Sequence, residues 1–261
     1  MQMALDRMVS TLRARNLIPE RCEAAFIVGS SARGWSNERS DYDIYVISRE
    51  PWPVLESIGV GVPLQPAEVG WHTFYTEGRG WDLAYWLDTQ VDQMLAKVSW
   101  DEYDQVRATS GDTLAQREEV FLERISTCVP LLGEDWVMRR RSEIDASAFR
   151  SIVVTRSLGA ANMAVEDALG QLENGDVNSA VISARFALGH AVDALLEEQG
   201  EYGSNIPKWR ARRFKEANPA ALSFDRYWDL ETMRSYDPDD PARWINEVLM
   251  LCQELSLKIS V

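Results

Sequence analysis

The sequence predicts an α+β protein, in which an N-terminal domain with a mixed sheet and flanking helices precedes an all-helical domain. Short β-branched and aromatic runs separated by glycine and proline turns occur only in the first half. From Thr89 onward, turn residues become rare and apolar residues recur three and four positions apart. We place the boundary before the polar run Arg139-Arg140-Arg141, which gives domains of residues 1–132 and 133–261.

The first domain begins with apolar residues at helical spacing, which predict an amphipathic helix over residues 1–17, closed by Pro19. Four prolines between positions 51 and 66 predict an irregular connection with at most one short element. Glu77-Gly78-Arg79-Gly80 has the composition of a hairpin turn. The predicted strands are Ala24 to Val28, Tyr42 to Ile47, Trp71 to Tyr75 and Trp81 to Trp86.

The second domain contains three long segments with the apolar periodicity of buried helices. In the middle segment Asp176 is suited to an N-cap and Gly200 to a C-terminal stop. The three predicted helices are Ser151 to Leu172, Asp176 to Gln199 and Ala242 to Ile259.

Charge and composition narrow the classes of partner. Lys and Arg total 27 against 41 Asp and Glu, and the formal net charge of -14 argues against broad binding to nucleic acid or to an anionic membrane. Asp6 and Arg7 interrupt any signal-type apolar stretch, and no run approaches the ~18 apolar residues of a membrane span. We therefore expect a cytoplasmic protein without a membrane partner.

The metal-binding residue types are limited. The three cysteines are far apart with no CxxC pair, and His72 and His190 are the two histidines. A metal site would therefore be built mainly from carboxylates, which favours Mg²⁺, with Mn²⁺ as an alternative.

Two aspartates lie one residue apart at the start of the second predicted strand. Because residues i and i+2 of a strand face the same side, Asp41 and Asp43 project together, and a divalent cation would relieve their repulsion. For an isolated pair, the commoner explanation is an exposed strand start that accepts turn hydrogen bonds. Here Gly29-Ser30 directly follows the first predicted strand, and a glycine there lets backbone N–H groups approach a phosphate.

A third carboxylate, Asp82, interrupts the apolar run Trp81 to Trp86. A buried carboxylate needs a partner. If its strand neighbours the strand of Asp43, the three acids form a cluster suited to two-metal phosphoryl or nucleotidyl transfer. The alternative is an exposed acid on an edge strand.

Gly29-Ser30, then Asp41-x-Asp43, then a lone acid on a later strand resembles the signature of the nucleotidyltransferase superfamily that includes DNA polymerase beta. The resemblance covers roughly residues 24–86. It implies that Gly29 and Ser30 contact the triphosphate and that Asp41 and Asp43 hold two Mg²⁺ ions. It also implies that Asp82 is a third metal ligand or the base that deprotonates the acceptor, and the residues leave that choice open.

Other cations and hydroxyls could add phosphate contacts. Ser31 and Arg33 lie in the same turn, although Arg33 is equally well explained as a solvated loop charge. Lys208 begins a run with five cations in eight residues, and the resemblance implies that a lysine of the helical domain reaches the triphosphate. For Arg212, Arg213 and Lys215, a solvated helix face is the favoured explanation.

The acceptor is the least defined part of the site. A mixed domain followed by a helical domain is similar to antibiotic nucleotidyltransferases that modify aminoglycosides or lincosamides. An acidic and aromatic face on the helical half could contact a cationic or polyhydroxylated acceptor, although an ordinary solvated face has the same composition. This face comprises Glu166, Asp167, Phe186, His190 and Asp193.

The sequence therefore predicts a magnesium-dependent nucleotidyltransferase that moves a nucleoside monophosphate, AMP from ATP in the first instance, onto a hydroxyl of a small molecule. The partners are a nucleoside triphosphate and a hydroxylated acceptor such as an aminoglycoside-like antibiotic or a biosynthetic intermediate. One alternative is transfer to a tRNA end or a protein, as in toxin-antitoxin systems. Another is a catalytically silent regulatory protein that keeps the fold.

Overall fold

The computed structural model describes residues 2–52, 57–107 and 114–261. The chain forms two compact units, Met1–Ala148 and Phe149–Val261. The first unit is α/β and the second is helical, as the sequence predicts.

The first unit is built on a six-stranded mixed sheet with strand order β3-β4-β5-β2-β1-β6. The pair β2 and β5 is parallel, and every other neighbouring pair is antiparallel. The strands are β1 (Cys22–Val28), β2 (Tyr42–Ser48), β3 (Ile58–Gly61), β4 (Glu68–Thr76), β5 (Arg79–Leu87) and β6 (Val129–Leu132). The helices of this unit are α1 (Gln2–Ala14), α2 (Gly29–Ala32), α3 (Asp88–Lys97), α4 (Trp100–Arg107), α5 (Gln116–Thr127) and α6 (Glu134–Ala146).

The two faces of the sheet carry different cores. On one face Ile44 and Val46 pack with Met8 and Leu12 of α1. On the opposite face Tyr45 stacks on Phe121 of α5, with ring centroids 5.4 Å apart. Because side chains alternate along a strand, Asp43 and Tyr45 share the α5 face of β2. The candidate carboxylates therefore lie on the face that α5 covers.

Two features of the first unit differ from the prediction. Strand β6 adds an edge to the sheet beside β1, where the sequence pattern predicted no strand. Helix α6 lies in the first unit, so the division falls after Ala148 and not at 132/133. The physical reason is that Trp136 stacks on Phe26 at 6.0 Å and the buried Arg140 pairs with Asp88 at 2.5 Å. Within the arginine run that suggested a boundary, Arg140 is thus buried and ties α6 to the first unit.

The second unit is a helical cluster around α8. Its helices are α7 (Phe149–Glu173), α8 (Val177–Glu198), α9 (Arg210–Ala217), α10 (Phe224–Glu231) and α11 (Pro241–Ser256). Asp176 caps α8 as expected, because its side chain accepts a hydrogen bond from the Ser179 N–H at 3.2 Å. The core gathers the apolar faces of α7, α8 and α11 around residues such as Leu188 and Trp244.

Helix α8 is long and apolar enough to cross a membrane by length and composition alone. Of its most apolar window, 67% is buried within the protein. This burial is compatible with the core helix of a soluble protein.

Candidate functional site

Asp43 and Asp82 are direct partners in the parallel pairing of β2 with β5. Neighbouring strands lie about 4.8 Å apart, and side chains of paired residues point to the same face. Thr73 on β4 pairs with Asp82, and Val28 on β1 pairs with Asp43. One row across four strands therefore contains Thr73, Asp82, Asp43 and Val28, and we call it the acid row. The strand of Asp82 thus neighbours the strand of Asp43, which is the condition on which the predicted acid cluster depended.

Asp82 has the partner that its partly buried position requires. The Thr73 hydroxyl donates a hydrogen bond to Asp82 Oδ1 at 2.6 Å. This bond fixes one carboxylate oxygen and orients the other. Asp82 is neither an exposed acid nor on an edge strand, because β5 lies between β2 and β4.

Asp41 lies just before β2 and is exposed. Its carboxylate lies against Gly80 at the start of β5, in space that a side chain on Gly80 would occupy. Since Asp41 and Asp43 are two residues apart, they lie on the same side of the sheet. All three predicted acids are thus at one end of β2 and β5.

The three carboxylates do not converge on one point. Across residues 2–52, 57–107 and 114–261, no group of three or more His, Cys, Asp or Glu side chains is arranged to hold a metal ion. The side-chain contacts explain the divergence, because Thr73 holds Asp82 and Asp41 leans over Gly80. The pair in direct register remains Asp43 and Asp82.

The predicted phosphate turn forms the short helix α2 directly after β1. Gly29 has a φ of +67°, and a Cβ at this position would lie 2.7 Å from Asp43 Oδ2. The Ser30 carbonyl accepts hydrogen bonds from the N–H groups of Trp35 and Ser36 at 2.8 and 3.1 Å. The turn is therefore folded tightly against the acid row.

The remaining predicted residues of the turn have structural contacts. The Ser31 hydroxyl donates to the Asp41 carbonyl at 3.2 Å, which ties the turn to the start of β2. The Arg33 guanidinium lies 4.1 Å from the Trp35 ring centroid. Gly29, Ser30, Ser31 and Arg33 thus occupy one turn beside the carboxylates.

Arg124, which the sequence pattern did not single out, is a cation near the acids. Arg124 of α5 donates to the Tyr45 hydroxyl at 2.9 Å. Burial acts to lower the pKa of Arg124, but its interactions with Tyr45 and Asp43 outweigh this effect and raise that pKa. Burial likewise raises the pKa of Tyr45. Arg124 was hidden because nothing local distinguishes it from a solvated arginine on an amphipathic helix.

Lys208, predicted to contact the triphosphate, lies in the second unit. It is exposed in a 3-10 turn over Pro207–Trp209, and its Nζ is 5.6 Å from the Trp209 ring centroid. Its contact with a nucleotide stays a prediction.

Asp193, part of the predicted acceptor face, is buried. It accepts hydrogen bonds from Arg210, at 2.7 Å to Oδ2, and from the buried Arg213. Phe186 and His190 line a pocket of about 450 Å³ in the second unit, and Asp193 and Arg210 contribute to the same lining. Asp193 is therefore the centre of an internal ion-pair network, and Arg213 lies inside the unit and not on the predicted solvated face.

A solved structure similar to this chain is the crystal structure of a nucleotidyltransferase-like protein from Exiguobacterium sibiricum 255-15. The two share 11% sequence identity with a TM-score of 0.52, and the similarity covers 97% of this chain and 75% of that chain. No protein-family model matches the chain, and neither does any curated protein. At this identity the similarity establishes the fold, so the chain has the fold of a nucleotidyltransferase-like protein.

Proposed function

We propose that this protein is a magnesium-dependent nucleotidyltransferase that moves a nucleoside monophosphate, AMP from ATP in the first instance, onto a hydroxyl of a small molecule. The observation that carries the proposal is the direct register of Asp43 and Asp82 on adjacent parallel strands, with Gly29 against Asp43. Like charges at this spacing repel, and a cation shared between them removes that cost.

The donor set fits magnesium. This ion is usually held by one or two carboxylates together with substrate phosphates and water, so three converging side chains are not required. Asp41 and Asp43 would supply contacts, and Asp82 a further one if it does not act as the base. When bound, Mg²⁺ would neutralise charge on the triphosphate and on the departing pyrophosphate.

The turn after β1 would hold the triphosphate. Gly29 has no side chain to obstruct a phosphate, and the Ser30 hydroxyl can donate to a phosphate oxygen. The Ser31 hydroxyl can do so once it leaves the Asp41 carbonyl. Arg33 would add a cation from the same turn, and Lys208 a cation from the helical unit. These roles are supported by the resemblance of the sequence to nucleotidyltransferases and by the contact of Gly29 with Asp43 in the acid row.

In the transfer step, the acceptor hydroxyl oxygen forms a bond to the α-phosphorus. The bond from that phosphorus to the α,β-bridging oxygen breaks, and pyrophosphate leaves with the electron pair. The hydroxyl proton passes to a carboxylate, for which Asp82 is the candidate if it does not ligate the metal. Thr73 holds Oδ1 of Asp82 and would leave Oδ2 to act.

The experiment incubates the protein with Mg²⁺, each of four nucleoside triphosphates and a panel of hydroxylated acceptors, and follows pyrophosphate and product mass. Asp43→Asn and Asp82→Asn should each lower the rate by about 100-fold or more. Asp145→Asn, which removes an exposed carboxylate from α6, is the matched control and should not change the rate.

A thermal-shift measurement supports the same test. A non-hydrolysable ATP analogue with Mg²⁺ should stabilise the wild type and the Asp145→Asn variant, but not Asp43→Asn. Absence of this stabilisation in the wild type, together with absence of pyrophosphate, would refute the proposed function. Pyrophosphate without a small-molecule adduct would instead favour a macromolecular acceptor.

A further inference from the structure

A pocket of about 430 Å³ lies between α5 and the sheet of the first unit. We refer to it as the α5 pocket. Its apolar wall comes from β2, β3, β4 and β5, with aromatic contributions from Tyr45, Trp71 and Trp86. Its helical wall includes Arg117 and Arg124. This volume falls within the range of small-molecule sites.

The pocket shares a sheet face with the candidate carboxylates. Trp71 and Tyr45 both pair with Ala84, one on each side of β5. The row Thr73, Asp82, Asp43 is two residues along the same strands, which corresponds to about 7 Å. A molecule bound in the α5 pocket would therefore lie directly beside the acid row, within one domain.

The charge of the pocket is opposite to that of the protein. Its lining residues include two arginines and neither Asp nor Glu, whereas the whole chain has a formal net charge of -14. Arg117 is exposed, and Arg124 is half-buried with its guanidinium carbon 5.5 Å from the Tyr45 ring centroid. The lining therefore offers two guanidinium groups to an anion and no carboxylate to a cation.

Arg124 has donor capacity that its contact with Tyr45 does not use. One Arg124 nitrogen donates to the Tyr45 hydroxyl at 2.9 Å. Arg124 Nε is buried and has no hydrogen-bond partner among the described residues, and the same holds for Trp86 Nε1. Buried N–H groups without partners are uncommon and are satisfied by a bound acceptor group or water.

We propose that the α5 pocket binds the acceptor of the reaction, and that this acceptor is a hydroxylated aromatic carboxylate. The aromatic body packs against the apolar wall, and the carboxylate pairs with Arg117 and Arg124. The hydroxyl undergoes the transfer described above, and the carboxylate is unchanged. A polycationic aminoglycoside is therefore disfavoured in this pocket. The role as acceptor rests on the proposed function, whereas the preference for an aromatic anion does not.

The test uses three probes with one aromatic body and different charge. They are 6-hydroxy-2-naphthoate, the neutral 6-hydroxy-2-naphthamide and the cationic 6-(aminomethyl)-2-naphthol. Binding to the full chain is measured by calorimetry without nucleotide or Mg²⁺. The carboxylate should bind at least about tenfold more tightly than the amide and the amine.

Two variants connect that preference to the pocket. Arg117→Gln removes an exposed cation from the lining and should reduce the carboxylate preference, whereas Trp71→Leu should weaken all three probes. Arg21→Gln removes an exposed cation elsewhere in the unit and should change nothing. Equal binding of amine and carboxylate, or an unchanged preference in Arg117→Gln, would overturn the proposed pocket chemistry.

A second measurement adds ATP and Mg²⁺ and follows product mass. A naphthoate adduct of the expected mass supports the acceptor role. Binding without an adduct, while another hydroxylated compound is modified, would overturn the acceptor role and leave the proposed function intact. Binding with no transfer to any acceptor would overturn the proposed function and leave the pocket's preference for an aromatic anion supported.

Discussion

Gly29 and Asp43 are in such close contact that a Cβ on Gly29 would lie 2.7 Å from Asp43 Oδ2. The contact arises because Val28, the last residue of β1, pairs with Asp43 on β2. Gly29 also has a φ of +67°, which a residue with a side chain adopts only at a cost. The missing side chain thus sets both the turn after β1 and the position of one candidate metal ligand.

Replacing Gly29 with alanine should reduce both stability and activity. The positive φ should cost about 1–2 kcal/mol of the free energy of unfolding, and the clash should displace the Asp43 carboxylate. Gly34→Ala is the matched control, because Gly34 has a φ of +68° and a Cβ added there would have nothing within 4 Å. Urea denaturation and pyrophosphate release measure the two effects. If both variants retain equal activity, Gly29 does not position Asp43 for transfer.

Lys208 should affect nucleotide affinity more than folding. Lys208→Met removes an exposed cation, so the free energy of unfolding should change by less than about 1 kcal/mol. If Lys208 contacts the triphosphate, the KM for ATP should rise about tenfold. Lys215→Met, which removes another exposed lysine of the second unit, is the control. An unchanged KM in Lys208→Met would remove this lysine from the nucleotide site.

The buried network around Asp193 should contribute strongly to folding. Asp193→Asn leaves the guanidinium groups of Arg210 and Arg213 without their shared carboxylate, which should cost about 3–5 kcal/mol. Asp229→Asn breaks the exposed pair with Arg234 and should cost less than about 1 kcal/mol. Urea denaturation compares the two. Similar losses in both variants would contradict a structural role for Asp193.

Glu197 predicts a specific pH dependence of stability. Burial raises the pKa of its carboxyl to about 7, although the Ser157 and Ser204 hydroxyls oppose the shift. A raised folded pKa means that the folded state binds the proton more tightly than the unfolded state. Its contribution is therefore fully present below the ordinary glutamate pKa of 4.5 and is lost as pH rises to about 7.

The variant that tests this linkage is Glu197→Gln, which has no proton to lose. Relative to it, the wild type should lose about 3 kcal/mol of unfolding free energy between pH 4.5 and pH 8. Glu173→Gln, an exposed change on α7, should follow the wild-type pH profile. Parallel profiles for wild type and Glu197→Gln would show that the carboxyl is not perturbed as described.

Much of the secondary structure could be predicted because its determinants are local. The alternation of β2, the turn at Gly78 and the N-cap at Asp176 each depend on a few neighbouring residues. Strand β6 was missed because it is only four residues long and contains Pro130, which is tolerated on an edge strand. The division after Ala148 was missed because the buried contacts of α6 join residues far apart in the chain.

The residues of the candidate site were likewise predictable only in part. Its residue types and their order along the chain identified Gly29, Asp41, Asp43 and Asp82 as candidates. Asp193 and Arg213 were predicted to lie on exposed helical faces, but they are buried as an ion pair. A helical face of charged residues has the same composition whether it is solvated or enclosed, so the sequence could not distinguish the two. Arg124 and the α5 pocket were not found from the sequence for the same reason.

The α+β order, the helix and strand periodicities and the paired carboxylates after a glycine turn all follow from local patterns in the sequence. The folded structure was needed to find that Asp43 pairs directly with Asp82, that the Asp41 carboxylate lies over Gly80 and that an apolar pocket with two arginines lies on the same face. The reason is that strand register and cavity shape are set by the packing of distant segments. Periodicity specifies which face a side chain occupies, whereas packing specifies what lies opposite it.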